Sequence, residues 1–235
     1  MKTAGIDGCK AGWILISFDR NQSGYKILRT NQELEEVFSE FDRIFIDIPI
    51  GLNEEEYTRE CDELLRKKLG AEYASSVFSP PIRPALNAPT YVEANMQSYE
   101  YTGKKLSVQA WNITPKVKIV DKLLREEKSW QDKVLESHPE LLFMNLNGGM
   151  IYQKKNTKKG LKHRLDLVAA QENIAAKFFR EIKEEFRRNE VEEDDLVDAM
   201  ALAFAAKKSE EKEIKTLPEN PPADSKGLTM AVHYI

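Results

Sequence analysis

Two short apolar segments, Thr3-Ala4-Gly5-Ile6-Asp7-Gly8 and Arg43-Ile44-Phe45-Ile46-Asp47-Ile48-Pro49, read as strands, and each runs into an aspartate. Aspartate is depleted in strands and costly to bury without a partner. A fold that accepts both segments must therefore bring something to their carboxylates. That requirement narrows the architectures open to this chain more than any other feature. A third acidic group, Asp194, Asp195 and Asp198, stands at the start of a late helical pattern.

The order of elements is legible around these segments. Residues 3–8, 12–18 and 25–30 are expected to be strands, joined by Cys9-Lys10-Ala11 and by the turn-rich stretch from Asp19 to Gly24. Such tight connections predict an antiparallel meander. Asn31 offers an N-cap, Leu34, Val37, Phe38 and Phe41 supply helical spacing, and strand 43–48 follows, so the order is β-β-β-α-β. From about residue 53 to about residue 125 the character is helical, broken at Ser79-Pro80-Pro81 and Asn87-Ala88-Pro89. No flexible linker flanks this stretch, so it is expected to be an insertion within a single domain spanning 1–235. Val134 to Pro139 reads as another strand, extended into its turn because the residue before proline avoids the α region. A helix beginning near His163 is expected to carry Leu167, Ile174, Phe178, Ile182 and Phe186 on one face. The last helix is expected from near Asp194 to about Lys208, with a proline-rich loop and an edge strand within Gly227 to Ile235 after it.

Composition excludes several classes. A formal charge of −4 over 235 residues argues against a protein that coats nucleic acid by bulk electrostatics. Cys9 and Cys61 are too few for a disulfide framework and lack zinc-site spacing, so both are expected to be reduced. No apolar run approaches the roughly 20 residues of a membrane span, and Asp7 and Lys10 interrupt any signal-peptide core. The expectation is a cytoplasmic protein with no membrane association.

Asp195 and Asp198 lie three apart on the last helix and share a face that Leu202 continues, so this face is expected against the sheet. Helix capping accounts for Glu192, Glu193 and Asp194, with Asp194 the expected cap. Asp195 stands between capping and function, whereas Asp198 lies too deep in the helix to cap it. For Asp7 the competing explanation is a turn ahead of Gly8, in which the carboxylate bonds its own backbone. Asp47 repeats the placement, which weakens that explanation. Were the two strands neighbours, Asp7, Asp47 and Asp198 would converge at one sheet edge, and like charges there repel unless protonated or bridged by a divalent cation. Hard oxygen donors with no soft ligand suit Mg²⁺ or Mn²⁺.

Glu136-Ser137-His138-Pro139-Glu140 places two carboxylates and a histidine within five residues, which makes Glu136 a further candidate. His138 has two open roles, orienting a water or phosphate and capping the next helix. His163 and His233 have no evident partner. Lys154, Lys155, Lys158, Lys159, Lys162 and Arg164 concentrate positive charge in an otherwise acidic chain. They form either a solvated loop or an arm that contacts phosphate, with Tyr152 placed to stack on a base. Arg59, Arg66 and Arg83 of the insertion are candidates to extend it. No Ser or Cys nucleophile arrangement, zinc-type cluster or Walker-type loop is visible.

A β-β-β-α-β core with aspartates on its first and fourth strands and an acidic closing helix resembles the ribonuclease-H-like fold. The helix Asp195-Leu196-Val197-Asp198-Ala199-Met200-Ala201 is similar to the closing helix of Holliday-junction resolvases. More closely, the chain resembles the family called domain of unknown function 429, regarded as predicted nucleases of that fold. The pieces that carry this likeness are Gly5-Ile6-Asp7-Gly8-Cys9 with Gly12-Trp13, Asp47-Ile48-Pro49-Ile50-Gly51-Leu52, Arg59-Glu60-Cys61-Asp62 and Ser76-Val77-Phe78. Glu136-Ser137-His138-Pro139-Glu140, Asp194-Asp195-Leu196-Val197-Asp198-Ala199 and Pro221-Pro222-Ala223-Asp224 with Gly227-Leu228 complete it.

The resemblance implies a nuclease acting on nucleic acid or a nucleotide. In a two-metal scheme Asp7 would bridge two ions, Asp47 and Asp198 would each hold one, and Asp195 or Glu136 would complete the set. Two rival functions stand beside it. One is an actin-like phosphotransferase or ATPase using Gly5-Ile6-Asp7-Gly8, for which 235 residues are too few to build two such domains. The other is a non-catalytic binding module in which Asp7 and Asp47 make structural hydrogen bonds.

Overall fold

A computed structural model describes residues 1–19, 23–54 and 58–235, so residues 20–22 of the predicted turn between Asp19 and Gly24 lie outside the described residues. The chain opens with strands β1 (Thr3–Cys9), β2 (Gly12–Ser17) and β3 (Gly24–Leu28), helix α1 (Asn31–Glu40) and strand β4 (Arg43–Ile46). Helices α2 (Glu60–Tyr73), α3 (Tyr91–Thr102) and α4 (Val108–Glu126) follow, then strand β5 (Val134–Glu136). The rest comprises α5 (Pro139–Asn147), α6 (Lys158–Gln171), α7 (Ala175–Glu185), α8 (Glu193–Lys208), β6 (Lys215–Leu217) and β7 (Val232–Tyr234). Two compact units result. One takes residues 1–47, 132–215 and 233–235, and the other takes 48–131 and 216–232.

The first unit is built on a five-stranded sheet of order β3-β2-β1-β4-β5. Its first three strands form the predicted antiparallel meander, and β1, β4 and β5 run parallel. A mixed sheet of this order flanked by helices is the ribonuclease-H-like arrangement anticipated from the sequence. Helix α1 makes the crossover from β3 to β4, and its cap is Thr30 rather than Asn31. The Thr30 hydroxyl accepts from Glu33 N at 3.2 Å, and the Glu33 carboxylate accepts from Thr30 N at 3.1 Å, a reciprocal capping box.

Helix α8 is the centre of the unit. Every residue from Leu196 to Ala206 is buried. It lies so close to β1 that a Cβ on Gly5 would overlap the backbone of Ala199 and Ala203, which explains why β1 tolerates a glycine that strands normally disfavour. Ile14, Ile16, Phe45 and Leu135 on the same face of the sheet join Leu196, Met200 and Leu202 in one core cluster. Each such side chain contributes about 1.5–3 kcal/mol on burial.

Helices α5, α6 and α7 pack on α8. The long helix predicted from His163 is in fact two. Glu172 N closes α6 on Val168 O at 2.8 Å, and Ala175 N bonds Glu172 O at 2.9 Å as the chain turns into α7. Val168 of α6 and Phe178 of α7 both enter the α8 core. The expected edge strand shortens to β7, where His233 pairs with Ser137 in a parallel bridge.

The second unit is helical, as the insertion was expected to be, but it also takes residues 216–232, which the sequence pattern leaves outside. Buried Arg83 explains the recruitment. It pairs with Asp121 at 2.9 Å and with Asp224, whose carboxylate also accepts from Leu52 N and Leu228 N, each at 3.0 Å. The Pro221-Pro222-Ala223-Asp224 piece is thus an anchor for this unit. No described helix is long and apolar enough to cross a membrane.

Candidate functional site

Register places the first two aspartates side by side. Ile6 pairs with Ile46 across the parallel ladder, and Asp47 N extends that ladder to Ile6 O at 3.0 Å. Asp7 and Asp47 are therefore neighbours. Strand alternation puts them on the face shared with Gly5 and Phe45, which is the face covered by α8. Asp198 projects from α8 into the same region. Its charge raises the pKa of both Asp7 and Asp47.

Electrostatics in this cluster run against ionisation. Burial, then the charges of Asp47 and Asp198, holds the Asp7 carboxyl well above the usual range. Burial and Asp198 push Asp47 up to about 8. Asp198 is raised by burial although Lys155 opposes it. One Asp7 oxygen does accept from Gly8 N at 2.6 Å, so the local turn bond anticipated for it exists alongside the cluster. The Oδ1 of Asp198 is buried with no hydrogen-bond partner among the described residues. That orphaned acceptor is unusual, since buried polar groups are nearly always satisfied.

The counter-charge comes from Lys155, whose Nζ lies 2.7 Å from Asp198 Oδ2 and 3.8 Å from Asp194 Oδ2. Asp198 in turn raises the lysine pKa further above its ordinary value. The loop that presents Lys155 is fixed from several sides. Thr157 Oγ1 and N both donate to Lys154 O, at 2.8 and 3.0 Å, and Thr157 caps α6 through Gly160 N at 3.1 Å. Gly160 lies against the Lys154 carbonyl, where a Cβ would collide. Arg164 Nη1 bonds Gln153 O at 2.8 Å.

Arg164 corrects an expectation. It is fully buried and grips Glu140 with Nη2 at 3.0 and 2.8 Å, so it supports the loop from within and is not presented to phosphate. Burial holds the Glu140 pKa above its ordinary value even though Arg164 opposes the shift. Lys154, Lys158 and Lys159 are exposed, as is Tyr152, while Lys162 pairs with Asp166 on its own helix. Among the described residues of the basic run, Lys155 is the one that forms an ion pair with the carboxylate cluster.

Other candidates fall differently. Glu136 pairs with Ile46, so the pleat sets it on the face opposite Asp7 and Asp47, although it is buried and its charge contributes to raising Asp47. Asp195 accepts from Glu192 N at 3.2 Å, closing the first turn of α8, and Glu192 rather than Asp194 is the cap. Burial and the charge of Asp194 nevertheless push Asp195 up to about 7. His138 occupies the N-cap position of α5 without a side-chain capping bond. His163 and His233 do have partners, through His163 Nε2 to Asn147 Oδ1 at 3.1 Å and His233 Nδ1 to the Glu136 carbonyl at 3.0 Å. In the second unit Arg59 and Arg83 are buried and paired with Asp62, Asp121 and Asp224. Both cysteines are buried and not disulfide-bonded.

The cluster offers hard oxygen donors, three aspartates with one oxygen left unsatisfied among the described residues. Their present placement is not a finished cage. Among the described residues, no three His, Cys, Asp or Glu side chains stand where they would share one ion. What the cluster holds instead is the ammonium of Lys155.

Residues 5–223 match the family model described as "Protein of unknown function (DUF429)". No curated protein matches, and no solved structure does.

Proposed function

Because this chain belongs to the DUF429 family, whose description assigns no activity, the chemistry of its carboxylate centre has to carry the functional reading, and we propose a metal-dependent phosphodiesterase acting on nucleic acid. The observation that carries it is the convergence of Asp7, Asp47 and Asp198 with the buried Asp198 Oδ1 left unsatisfied. Clustered buried carboxylates with raised pKa in a cleft are functional-site candidates. Asp7, Asp47 and Asp198 would hold Mg²⁺ or Mn²⁺, and the ion would supply an activated water and a Lewis acid for the leaving oxygen. Lys155 would have to release Asp198 for this, and its ammonium would then be available to contact a phosphate. Lys154, Lys158 and Lys159 supply exposed charge for the nucleic-acid backbone. The proposal includes the cytoplasmic location expected from the sequence.

The 2.7 Å bond between Lys155 and Asp198 favours a second reading, a lysine-neutralised cluster in a binding module without catalysis. The two separate on one experiment. Asp7→Asn abolishes Mn²⁺-dependent cleavage of labelled single-stranded and duplex substrates while far-UV circular dichroism stays unchanged. Undiminished cleavage by this variant sinks the phosphodiesterase. A wild-type protein that neither cleaves nor gains thermal stability from Mn²⁺ supports the binding module.

A further inference from the structure

The second unit contains a cavity of about 480 Å³ lined by its own residues, inside the range of roughly 300–1,000 Å³ typical of small-molecule sites. Its wall uses two pieces that the carboxylate centre leaves unexplained, Arg59-Glu60-Cys61-Asp62 and Ser76-Val77-Phe78. Arg59 is the support. Its Nη1 donates to Ile50 O and Gly51 O at 2.6 and 2.7 Å, and its Nη2 meets Asp62 at 3.0 Å, which cancels both charges. Two turns along α2, Arg66 is held over the cavity by Val77 O, 3.1 Å from Nε and 3.0 Å from Nη2, and by Ser79 Oγ at 2.8 Å. These partners fix the guanidinium and leave its charge uncancelled.

Across the cavity, Lys104 and Lys105 stand in a loop that is braced rather than loose. Gly103 ends α3 in the left-handed conformation (φ 67°), the Ser98 hydroxyl donates to Lys104 O at 3.0 Å, and the Tyr91 hydroxyl donates to Leu106 O at 2.8 Å. Arg66, Lys104 and Lys105 form no ion pair with any described residue. Among the described residues the carboxylates on the wall are Glu54, Asp62 and Glu63, of which Glu54 is engaged by Arg83 at 3.8 Å and Asp62 by Arg59, so the described cations outnumber the described carboxylates. Two aromatic rings complete the wall, Phe78 at 40% and Tyr101 at 52% exposure, large faces that a folded protein ordinarily covers.

We propose that this cavity binds a phosphorylated nucleoside, the base against Phe78 and Tyr101 and the phosphate on Arg66, Lys104 and Lys105. A planar base uses the exposed rings, and a phosphate uses an arginine already oriented and two lysines without carboxylate partners. A free mononucleotide and the end of a single strand share this chemistry. The site does not depend on the phosphodiesterase reading of the aspartates.

Calorimetric titration of the full chain in EDTA, where metal-dependent cleavage is silent, tests the proposal. AMP and a 5′-phosphorylated tetrathymidylate both bind, while adenosine and inorganic phosphate bind at least about tenfold more weakly, because each lacks half of the recognised chemistry. Arg66→Gln and the double variant Lys104→Gln/Lys105→Gln each weaken AMP binding by about tenfold or more, the scale of a lost charged hydrogen bond. The lysine variant, at exposed positions, keeps the wild-type unfolding midpoint, so its loss reads as binding. Tighter binding of the oligonucleotide than of AMP identifies a strand end as the occupant; equal or tighter binding of AMP identifies the mononucleotide. Asp7→Asn binds AMP like the wild type whether or not it has lost cleavage. Absence of AMP binding, or binding that survives both sets of substitutions, overturns the proposal.

Discussion

Lys155 Nζ sits 2.7 Å from Asp198 Oδ2, and its charge opposes the rise in pKa of Asp7, Asp47 and Asp198 alike. Replacing it by methionine removes the cation and leaves an acidic cluster at close quarters. Breaking a fully buried pair costs about 3–5 kcal/mol, but the Lys155 side chain keeps 41% exposure, so a loss of about 1–3 kcal/mol is expected. Urea unfolding at about pH 8 and about pH 5 checks this, since the cost shrinks once the carboxylates protonate. A loss equal at both pH values would mean that packing of the lysine stem, not its charge, matters.

Stability of the metal-free protein should fall as pH rises. Asp47 moves from an ordinary 3.8 to about 8 on folding, and Asp195 from 3.8 to about 7. Across that window the folded state binds more protons than the unfolded state, so the stability present below the unfolded value is lost as pH climbs through the folded one. Each such group contributes a slope of about 1.4 kcal/mol per pH unit inside its window. Thermal midpoints in EDTA decline from about pH 5 to about pH 8, and Asp47→Asn flattens the decline. Added Mn²⁺ favours the ionised carboxylates and therefore stabilises more at the upper end. A midpoint independent of pH would show that the cluster is not carrying raised carboxylates.

Some of this centre was written in the sequence, and some could not be. Two strands ending on aspartate at matching offsets define a ladder pair once they are neighbours, so Asp7 and Asp47 were readable; Asp198 followed because it sits too deep to cap its helix. The face that Glu136 takes was not readable, because it depends on the β4–β5 register, a tertiary fact. Lys155 is one lysine among several. Only the Thr157 turn, the contact at Gly160 and the bond from Arg164 to Gln153 single it out. The break between α6 and α7 was hidden for a related reason: the apolar spacing continues across it, and only packing on α8 requires the turn.

The approach of β1 to α8 gives a sharp steric test. Gly5→Ala forces a Cβ into the backbone of Ala199 and Ala203, which cannot move without displacing the central helix. Overpacking of this kind typically costs 1–3 kcal/mol, and because the clash is with the backbone of α8 rather than a flexible side chain the expectation rises to about 4 kcal/mol or more. Gly24→Ala, with no described residue within 4 Å of the added carbon, serves as the control. Circular dichroism melts of the two variants decide it: near-wild-type stability of Gly5→Ala would mean that α8 does not lie on β1 as described.

The buried pair of Arg164 and Glu140 separates support from substrate contact. If Arg164 touched phosphate, its replacement would weaken substrate binding and leave stability alone. Its burial and its two bonds to Glu140, at 3.0 and 2.8 Å, predict the reverse. Arg164→Met leaves Glu140 buried without its partner and should destabilise the fold by about 3–5 kcal/mol. Adding Glu140→Gln removes the stranded charge, so the double variant recovers part of that loss, a coupling that a double-mutant cycle measures directly. Arg164 also holds the Gln153 carbonyl, so the single variant should loosen the loop that aims Lys155, and hydrogen exchange at residues 153–157 should rise with it. A variant as stable as the wild type but with impaired nucleic-acid binding would return Arg164 to the phosphate-contacting arm.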